Sequence, residues 1–201
     1  MVCVQPSIPG VEFTAGSHVC SLYSGGHGRN EVLRPFLLEG LLRGERCLVG
    51  LGERDAATML GSLKLQVHSG HCVRSGQLEV LPEGPEGDSA TSVPHWEALL
   101  GALAGNRYPF TRVGVEPTWW ESHRGSGSGS VDLLQYESTV SELTATRPVG
   151  FLCMYDIDST DGGEAIQLTK THVHVLLGSA IVENPYSSGG CGTITTPSCA
   201  M

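Results

Sequence analysis

Apolar residues occur along the chain in short blocks that alternate with longer segments of helical periodicity. The short blocks predict strands at residues 19–23, 46–51, 78–81, 111–115, 149–155, 173–177 and 180–183. The longer segments predict helices at residues 29–43, 54–65, 94–104, 131–144 and 165–171. Strands that alternate with helices form βαβ units, so the pattern predicts an α/β protein with a mostly parallel sheet.

The first predicted helix contains a proline within its apolar stripe. Leu33, Phe36 and Leu37 recur at helical spacing, and Pro35 lies between them. A proline beyond the first turn of a helix costs ~3 kcal/mol, because it removes a backbone hydrogen bond and clashes with the preceding turn. We therefore expect this helix to begin late, near Leu33, or to kink.

The composition is that of one packed domain followed by a tail. Of the 201 residues, 40% are hydrophobic and 16% are charged, which is typical of a chain with a core. The pattern of elements ends near residue 185, whereas residues 186–201 are rich in Gly, Ser and Thr. We expect a domain at residues 11–185 and a flexible tail at residues 186–201.

The net charge of −9 at pH 7 repels phosphate backbones and anionic lipid, and no Lys/Arg cluster offsets it. No apolar run reaches the ~18 residues of a membrane span, and residues 1–10 lack the pattern of a signal peptide. We therefore expect a cytoplasmic protein that binds neither nucleic acid nor membrane directly. Its seven cysteines are then expected to be mostly reduced thiols.

The segment between the first predicted strand and helix has the position of a phosphate-binding loop. A working P-loop needs a lysine for the β- and γ-phosphates and a following Ser or Thr for magnesium. Residues 24–30, SGGHGRN, offer glycine N–H groups but neither of these side chains at the required place. No serine stands in a GxSxG elbow either. We predict that the chain is not an enzyme and assign it no catalytic residues.

Histidines and cysteines form the main candidate for binding chemistry. His18 and Cys20 stand two residues apart on a predicted strand, so both side chains project to one face of the sheet. If neighbouring strands bring Cys153 and His172 close, the four residues form a mixed set that zinc accepts. The alternative is structural, because cysteine often packs in a core as a small hydrophobic residue.

Three other residues stand where parallel strands are predicted to end. Tyr23 ends the strand predicted at residues 19–23, Asp156 directly follows the strand at 149–155, and Trp119 follows the strand at 111–115. Ligands of open α/β sheets bind outside the carboxyl ends of the strands. These side chains are therefore candidates for orienting a small ligand, while the alternative for Trp119 is that it caps the core.

Segments in this order resemble the MEDS family, the sensory domains named after methanogens, methylotrophs and the dichloromethane-responsive repressor. They are residues 16–23 (GSHVCSLY), 32–41 (VLRPFLLEGL), 76–81 (GQLEVL), 133–137 (LLQYE), 153–156 (CMYD) and 171–172 (TH). The resemblance extends over about residues 11–185. It implies a RecA-like, three-layer fold with a degenerate P-loop. It also implies a sensory role, usually within transcription regulators or kinases, with small hydrocarbon derivatives as ligands.

The sequence therefore predicts a cytoplasmic sensory domain in bacterial or archaeal signal transduction that binds a small molecule or a metal such as zinc. The sequence shows no output domain, so we expect a stand-alone domain that signals through a regulatory protein partner or a homodimer. The predicted ligand-binding residues are His18, Cys20, Tyr23, Trp119, Cys153, Asp156 and His172. Two alternatives stay open: a degenerate, nucleotide-binding ATPase-like protein and a pure protein-interaction module.

Overall fold

The computed structural model describes residues 11–64, 66–81, 107–117, 133–178 and 180–184, together with Ile8, Ala98 and Gly101. The strands within these residues are β1 His18–Tyr23, β2 Arg46–Gly50, β3 Leu78–Val80, β4 Thr111–Val115, β5 Val149–Asp156, β6 His174–Leu177 and β7 Ala180–Glu183. The helices are α1 Gly25–Leu42, α2 Glu53–Leu63, α3 Ser69–Arg74, α4 Leu133–Thr146 and α5 Gly162–Thr171. None of the described helices is both long and apolar enough to cross a membrane.

The strands form one sheet in the order β3-β2-β4-β5-β1-β6-β7. All neighbouring strands are parallel except β7, which runs antiparallel to β6. β1 lies between β5 and β6, so both of its edges are hydrogen-bonded. The predicted mostly parallel α/β sheet is confirmed.

Helices cover both faces of the sheet, which gives three layers. Side chains alternate along each strand, so Val19 and Leu152 pack with α1, α2 and α3 on one face. Cys20 and Cys153 pack with α4 and α5 on the other face. Strands buried on both sides read as continuous apolar blocks, which explains why the sequence pattern located them.

Of the two expectations for α1, a late start or a kink, the late start was wrong. The helix begins at Gly25, directly after Ser24, and continues through Pro35 without a break. Leu33, Phe36 and Leu37 on its inner face are fully buried. Burying each of them contributes roughly 1.5–3 kcal/mol, which together exceeds the ~3 kcal/mol that an internal proline costs.

Other parts of the sequence prediction differ in extent or lie outside the described residues. The short helix α3 was not predicted. The predicted helix at residues 94–104 is described only at Ala98 and Gly101, both of which are helical. Trp119 and the predicted tail at residues 186–201 lie outside the described residues.

Gly114, in the middle of β4, is expected to tolerate no side chain. A Cβ at this position would lie 2.5 Å from Leu33 Cδ1, and Leu33 is fully buried. Overpacking of this kind typically costs about 1–3 kcal/mol, so Gly114→Ala should lower the midpoint of urea unfolding. Gly61→Ala is the matched control, because nothing lies within 4 Å of that helical Cβ. It should raise stability by about 0.5–1 kcal/mol. Equal stability of the two variants would contradict the described packing of α1 on β4.

Candidate functional site

The predicted site residues that the structure describes fall into two places, one near each end of β1. His18, Cys153 and His172 converge beneath α4, close to the amino end of β1. Tyr23 and Asp156 lie at the carboxyl ends of β1 and β5. The described residues among the predicted ligand-binding set therefore do not form a single site.

Four side chains form what we call the buried polar centre: His18, Glu137, Cys153 and His172. Their ligand atoms all lie within 4.8 Å of one another, and all four residues are inaccessible or nearly so to solvent. Glu137 Oε2 is 2.7 Å from His18 Nε2 and 3.1 Å from His172 Nε2. Cys153 Sγ is 3.4 Å from His18 Nε2. The two imidazole rings are 4.1 Å apart between centroids.

Four different elements bring these groups together. His18 is the first residue of β1, Cys153 lies within the adjacent β5, and His172 follows the last residue of α5. Glu137 projects from α4, which packs over this part of the sheet. The site therefore exists only in the folded domain, and residues up to 154 positions apart in sequence build it.

Cys20, which was predicted to share this site, lies beside it. Cys20 is the register partner of Cys153 on β5 and is fully buried on the same face of the sheet. It is not one of the four groups whose ligand atoms converge. Glu137 takes the place predicted for Cys20, and sequence reasoning missed it.

One signal for Glu137 was present in the sequence. The buried positions of α4 include Leu133, Tyr136, Val140 and Leu143, and Glu137 falls on the same helical face. A carboxylate on the apolar stripe of a helix is costly unless it has partners, so its presence marks a polar site. No periodicity could have shown that those partners are two histidines.

The contacts around the centre hold each group in a fixed orientation. His18 Nδ1 is 2.9 Å from Ser141 Oγ, and His172 Nδ1 is 2.8 Å from the carbonyl oxygen of Leu168. The Tyr155 hydroxyl donates to Glu137 Oε1. The Tyr136 hydroxyl lies 3.9 Å from Cys153 Sγ.

Burial governs the charge states of the centre. Burial and then the nearby His172 lower the pKa of His18 to about 4, although Glu137 acts in the opposite direction. Burial alone raises the pKa of Glu137, but the two histidines outweigh it and hold this pKa below its usual value. Burial and then Glu137 raise the pKa of the Cys153 thiol. At neutral pH His18 is therefore neutral and Glu137 is ionised.

At the carboxyl ends of the strands, polar side chains neutralise one another. The Tyr23 hydroxyl donates to Glu116. Arg29 Nη1 is 2.8 Å from Asp55 Oδ2 and 3.3 Å from Glu116 Oε2. Burial and then this hydrogen bond to Glu116 raise the pKa of Tyr23, so the phenol stays protonated.

Two aspartates lie at the amino end of α1, where a P-loop protein would hold phosphate. Asp156 Oδ1 accepts a hydrogen bond from the Gly25 N–H at 3.3 Å. Ser24 Oγ donates to Asp158 Oδ2 at 2.6 Å. The predicted glycine loop is therefore reduced to Ser24, and carboxylates of the chain itself face the first turn of the helix.

Beside this edge lies a cavity of about 930 Å³, which we call the carboxyl-edge cavity. Its wall consists of Ile8 and of residues at or beside the ends of β1 and β6, in the first two-thirds of α1 and in the turn after β5. They are Ile8, Leu22, Tyr23, Ser24, Gly28, Glu31, Val32, Arg34, Pro35, Ile157, Leu176, Leu177 and Gly178. Most of these side chains are apolar, and Tyr23 is the predicted ligand-binding residue among them.

The parallel sheet between two helical layers, with the shortened turn from β1 into α1, defines the chain as a RecA-like α/β protein with a degenerate P-loop. The flagellar accessory protein FlaH from Methanocaldococcus jannaschii has a similar structure, with a TM-score of 0.53 and 11% sequence identity. The similarity covers 84% of this chain and 76% of FlaH. FlaH is one of 183 chains of solved structures that match, so the likeness shows the fold and not the function.

Residues 17–173 match the family described as the methanogen/methylotroph, DcmR sensory domain, MEDS. The match covers well over half of the chain, and the chain belongs to this family of sensory domains. The predicted family is thereby confirmed. No curated protein sequence matches the chain significantly.

Proposed function

We propose that this sensory domain binds a small, mostly apolar organic molecule in the carboxyl-edge cavity. The observation that carries the proposal is the cavity itself, at the end of the sheet where ligands of open α/β folds bind. Its volume of about 930 Å³ lies within the range of small-molecule sites, on the order of 300–1,000 Å³.

The wall of the cavity favours a neutral, hydrocarbon-like ligand. Leu22, Val32 and Leu176 present aliphatic groups, and Val32 and Leu176 are buried. The charged residues of the wall, Glu31 and Arg34, carry one charge of each sign, so neither sign of ligand is favoured. A simple hydrocarbon derivative would bury apolar surface here, and each Å² of apolar surface removed from water contributes roughly 25 cal/mol of favourable free energy.

The setting that we propose is cytoplasmic signal transduction, including transcription regulation, with output through a regulatory protein or a homodimer. Cys20, Cys47, Cys72 and Cys153 are free thiols, which supports a reducing compartment. The net charge of −9 supports a protein partner over direct contact with nucleic acid. We propose a binding role and not a catalytic one, because the polar groups at the carboxyl edge pair with one another.

The test uses the neutral fluorescent probe N-phenyl-1-naphthylamine and a variant that fills the cavity. Gly28 lies in α1 and lines the cavity, and a Cβ there meets only Tyr23 Cβ, at an ordinary 3.6 Å. Gly28→Trp should therefore fold and weaken saturable binding of the probe by about tenfold or more, or about 1.4 kcal/mol.

Gly61→Trp is the matched control, since Gly61 is an exposed helical glycine on α2 outside this cavity. It should bind the probe like the unaltered protein. Equal affinity of the two variants for the probe, or no saturable binding of the probe by the unaltered protein, would contradict the proposal and favour a pure interaction module.

A further inference from the structure

The hydrogen bonds around His172 determine which of its nitrogens carries a proton. Nδ1 lies 2.8 Å from the carbonyl oxygen of Leu168, which can only accept a hydrogen bond. Nδ1 must therefore carry the proton and donate it. In neutral His172, Nε2 then presents a lone pair to the interior of the buried polar centre.

The same reasoning fixes the tautomer of His18. Ser141 Oγ donates its proton to the carbonyl oxygen of Glu137, at 3.0 Å. The hydroxyl is thus left as an acceptor for His18 Nδ1, which lies 2.9 Å away. The lone pair of His18 Nε2 therefore lies between Glu137 Oε2, at 2.7 Å, and the Cys153 thiol, at 3.4 Å, which can donate to it.

Glu137 adds a third acceptor at the same point. Its Oε1 accepts from Tyr155, whereas Oε2 has no hydrogen-bond partner among the described residues, and the same holds for His172 Nε2. The separations of 2.7 and 3.1 Å from Oε2 to the two imidazoles match those of hydrogen bonds or ion pairs. With both protons on Nδ1, however, these contacts bring acceptors face to face in a buried space, so each contact needs either a second proton on the imidazole or a metal ion between the two atoms.

We propose that the buried polar centre binds a divalent metal ion of the zinc class through His18 Nε2, Glu137 Oε2, Cys153 Sγ and His172 Nε2. Two imidazoles, a carboxylate and a thiolate form a donor set that suits four-coordinate Zn²⁺. Bonds of about 2.0–2.3 Å place donors of a tetrahedron roughly 3.3–3.7 Å apart. The measured separations of 2.7, 3.1 and 3.4 Å lie within or somewhat below that range, and no two ligand atoms are more than 4.8 Å apart.

The balance of charge supports a divalent ion. Binding transfers the Cys153 thiol proton to solvent and forms the metal–sulfur bond, so one H⁺ is released per ion. The two positive charges of the ion then meet one carboxylate and one thiolate, which leaves a neutral centre. Neutrality matters here because the centre is shielded from water.

Ser141, Leu168 and Tyr155 are the outer partners that this site requires. Ligating histidines typically use the second ring nitrogen for an oxygen acceptor, which fixes their orientation. Both histidines of the centre do so, and the Tyr155 hydroxyl restrains Glu137 so that one oxygen remains for the ion. This site is separate from the carboxyl-edge cavity and does not depend on the proposed ligand there.

The test is a titration of the chelator-treated protein with Co²⁺, which reports thiolate ligation by a near-ultraviolet charge-transfer band and four-coordination by visible bands. Cys3, Cys191 and Cys199 are replaced by serine throughout, so that the band reports the remaining cysteines. We expect one Co²⁺ per chain, competition by Zn²⁺ and a higher melting temperature with either ion.

The variants separate this ligand set from the one expected from the sequence. Cys153→Ser should lose the charge-transfer band, and Glu137→Gln should weaken Co²⁺ binding by about tenfold or more. Cys20→Ser and Cys47→Ser should keep the charge-transfer band and still bind one Co²⁺ per chain.

Circular dichroism checks that each variant folds. If a variant does not fold, the Co²⁺ titration of the parent protein still shows whether the domain binds a metal ion. Absence of saturable binding would show that shared protons hold the centre together, and loss of the band in Cys20→Ser would overturn this ligand set.

Discussion

Replacing Arg112 by leucine is expected to destabilise the domain by about 3–5 kcal/mol, because it leaves a buried carboxylate without its partner. Arg112 is fully buried in β4. Its Nε is 2.5 Å from Glu45 Oε2, and its Nη1 is 3.1 Å from Glu39 Oε2. The guanidinium also lies 5.4 Å from the ring of Phe13 and 5.2 Å from that of Phe36. Such a loss is a large fraction of the roughly 5–15 kcal/mol that stabilises a domain.

Equilibrium urea unfolding measures this effect, and Arg46→Leu is its matched control. Arg46 pairs with Glu79 on neighbouring strands of the same sheet, but the Glu79 side chain is 41% exposed. An ion pair of this kind contributes about 0–1 kcal/mol. Adding Glu45→Gln to Arg112→Leu should recover part of the lost stability, because it removes the carboxylate charge that Arg112→Leu leaves unpaired. A loss below about 1 kcal/mol for Arg112→Leu would show that the network does not stabilise the fold.

Release of phosphate from ATP or GTP with magnesium is expected to stay at background. The first turn of α1 faces Asp156 and Asp158, whose charges repel a nucleotide phosphate. No lysine stands in residues 24–30, and Arg29 is held by Asp55 and Glu116. Each missing electrostatic group typically costs ~3 kcal/mol or more in the transition state of such a reaction.

The assay compares the unaltered protein with Arg29→Ala, which removes the cation nearest to this turn. Both should release phosphate at the rate of the buffer. Turnover well above background that disappears in Arg29→Ala would contradict our account and favour the ATPase-like alternative.

The sheet could be predicted because its central strands are buried on both faces. Continuous apolar blocks such as β2 and β5 contrast clearly with the helical periodicity around them, and β4 was predicted with the bounds that it has. Alternation of strands and helices then implied parallel pairing. The extent of α1 could not be predicted, because the cost of Pro35 is local whereas the burial that offsets it depends on the sheet beneath.

The candidate site could be predicted only in part. Spacing placed His18 and Cys20 on one face, and the structure confirms that geometry, but only His18 reaches the buried polar centre. The helix that packs over the sheet decides that His18 and not Cys20 joins the buried polar centre, because Glu137 projects from this helix towards His18. The separation of Tyr23 and Asp156 from the histidines follows from strand length, since β1 places His18 and Tyr23 at its opposite ends.

Hydrogen–deuterium exchange with and without N-phenyl-1-naphthylamine tests most directly that the domain binds its ligand in the carboxyl-edge cavity. We expect the probe to slow exchange at Leu22–Pro35 and Leu176–Gly178, and this protection should be absent in Gly28→Trp. A second cavity, of about 540 Å³ between α2 and α3, is lined by Lys64, His68 and Arg74 among others and should show no change. Protection confined to that second cavity, or none anywhere, would contradict the account.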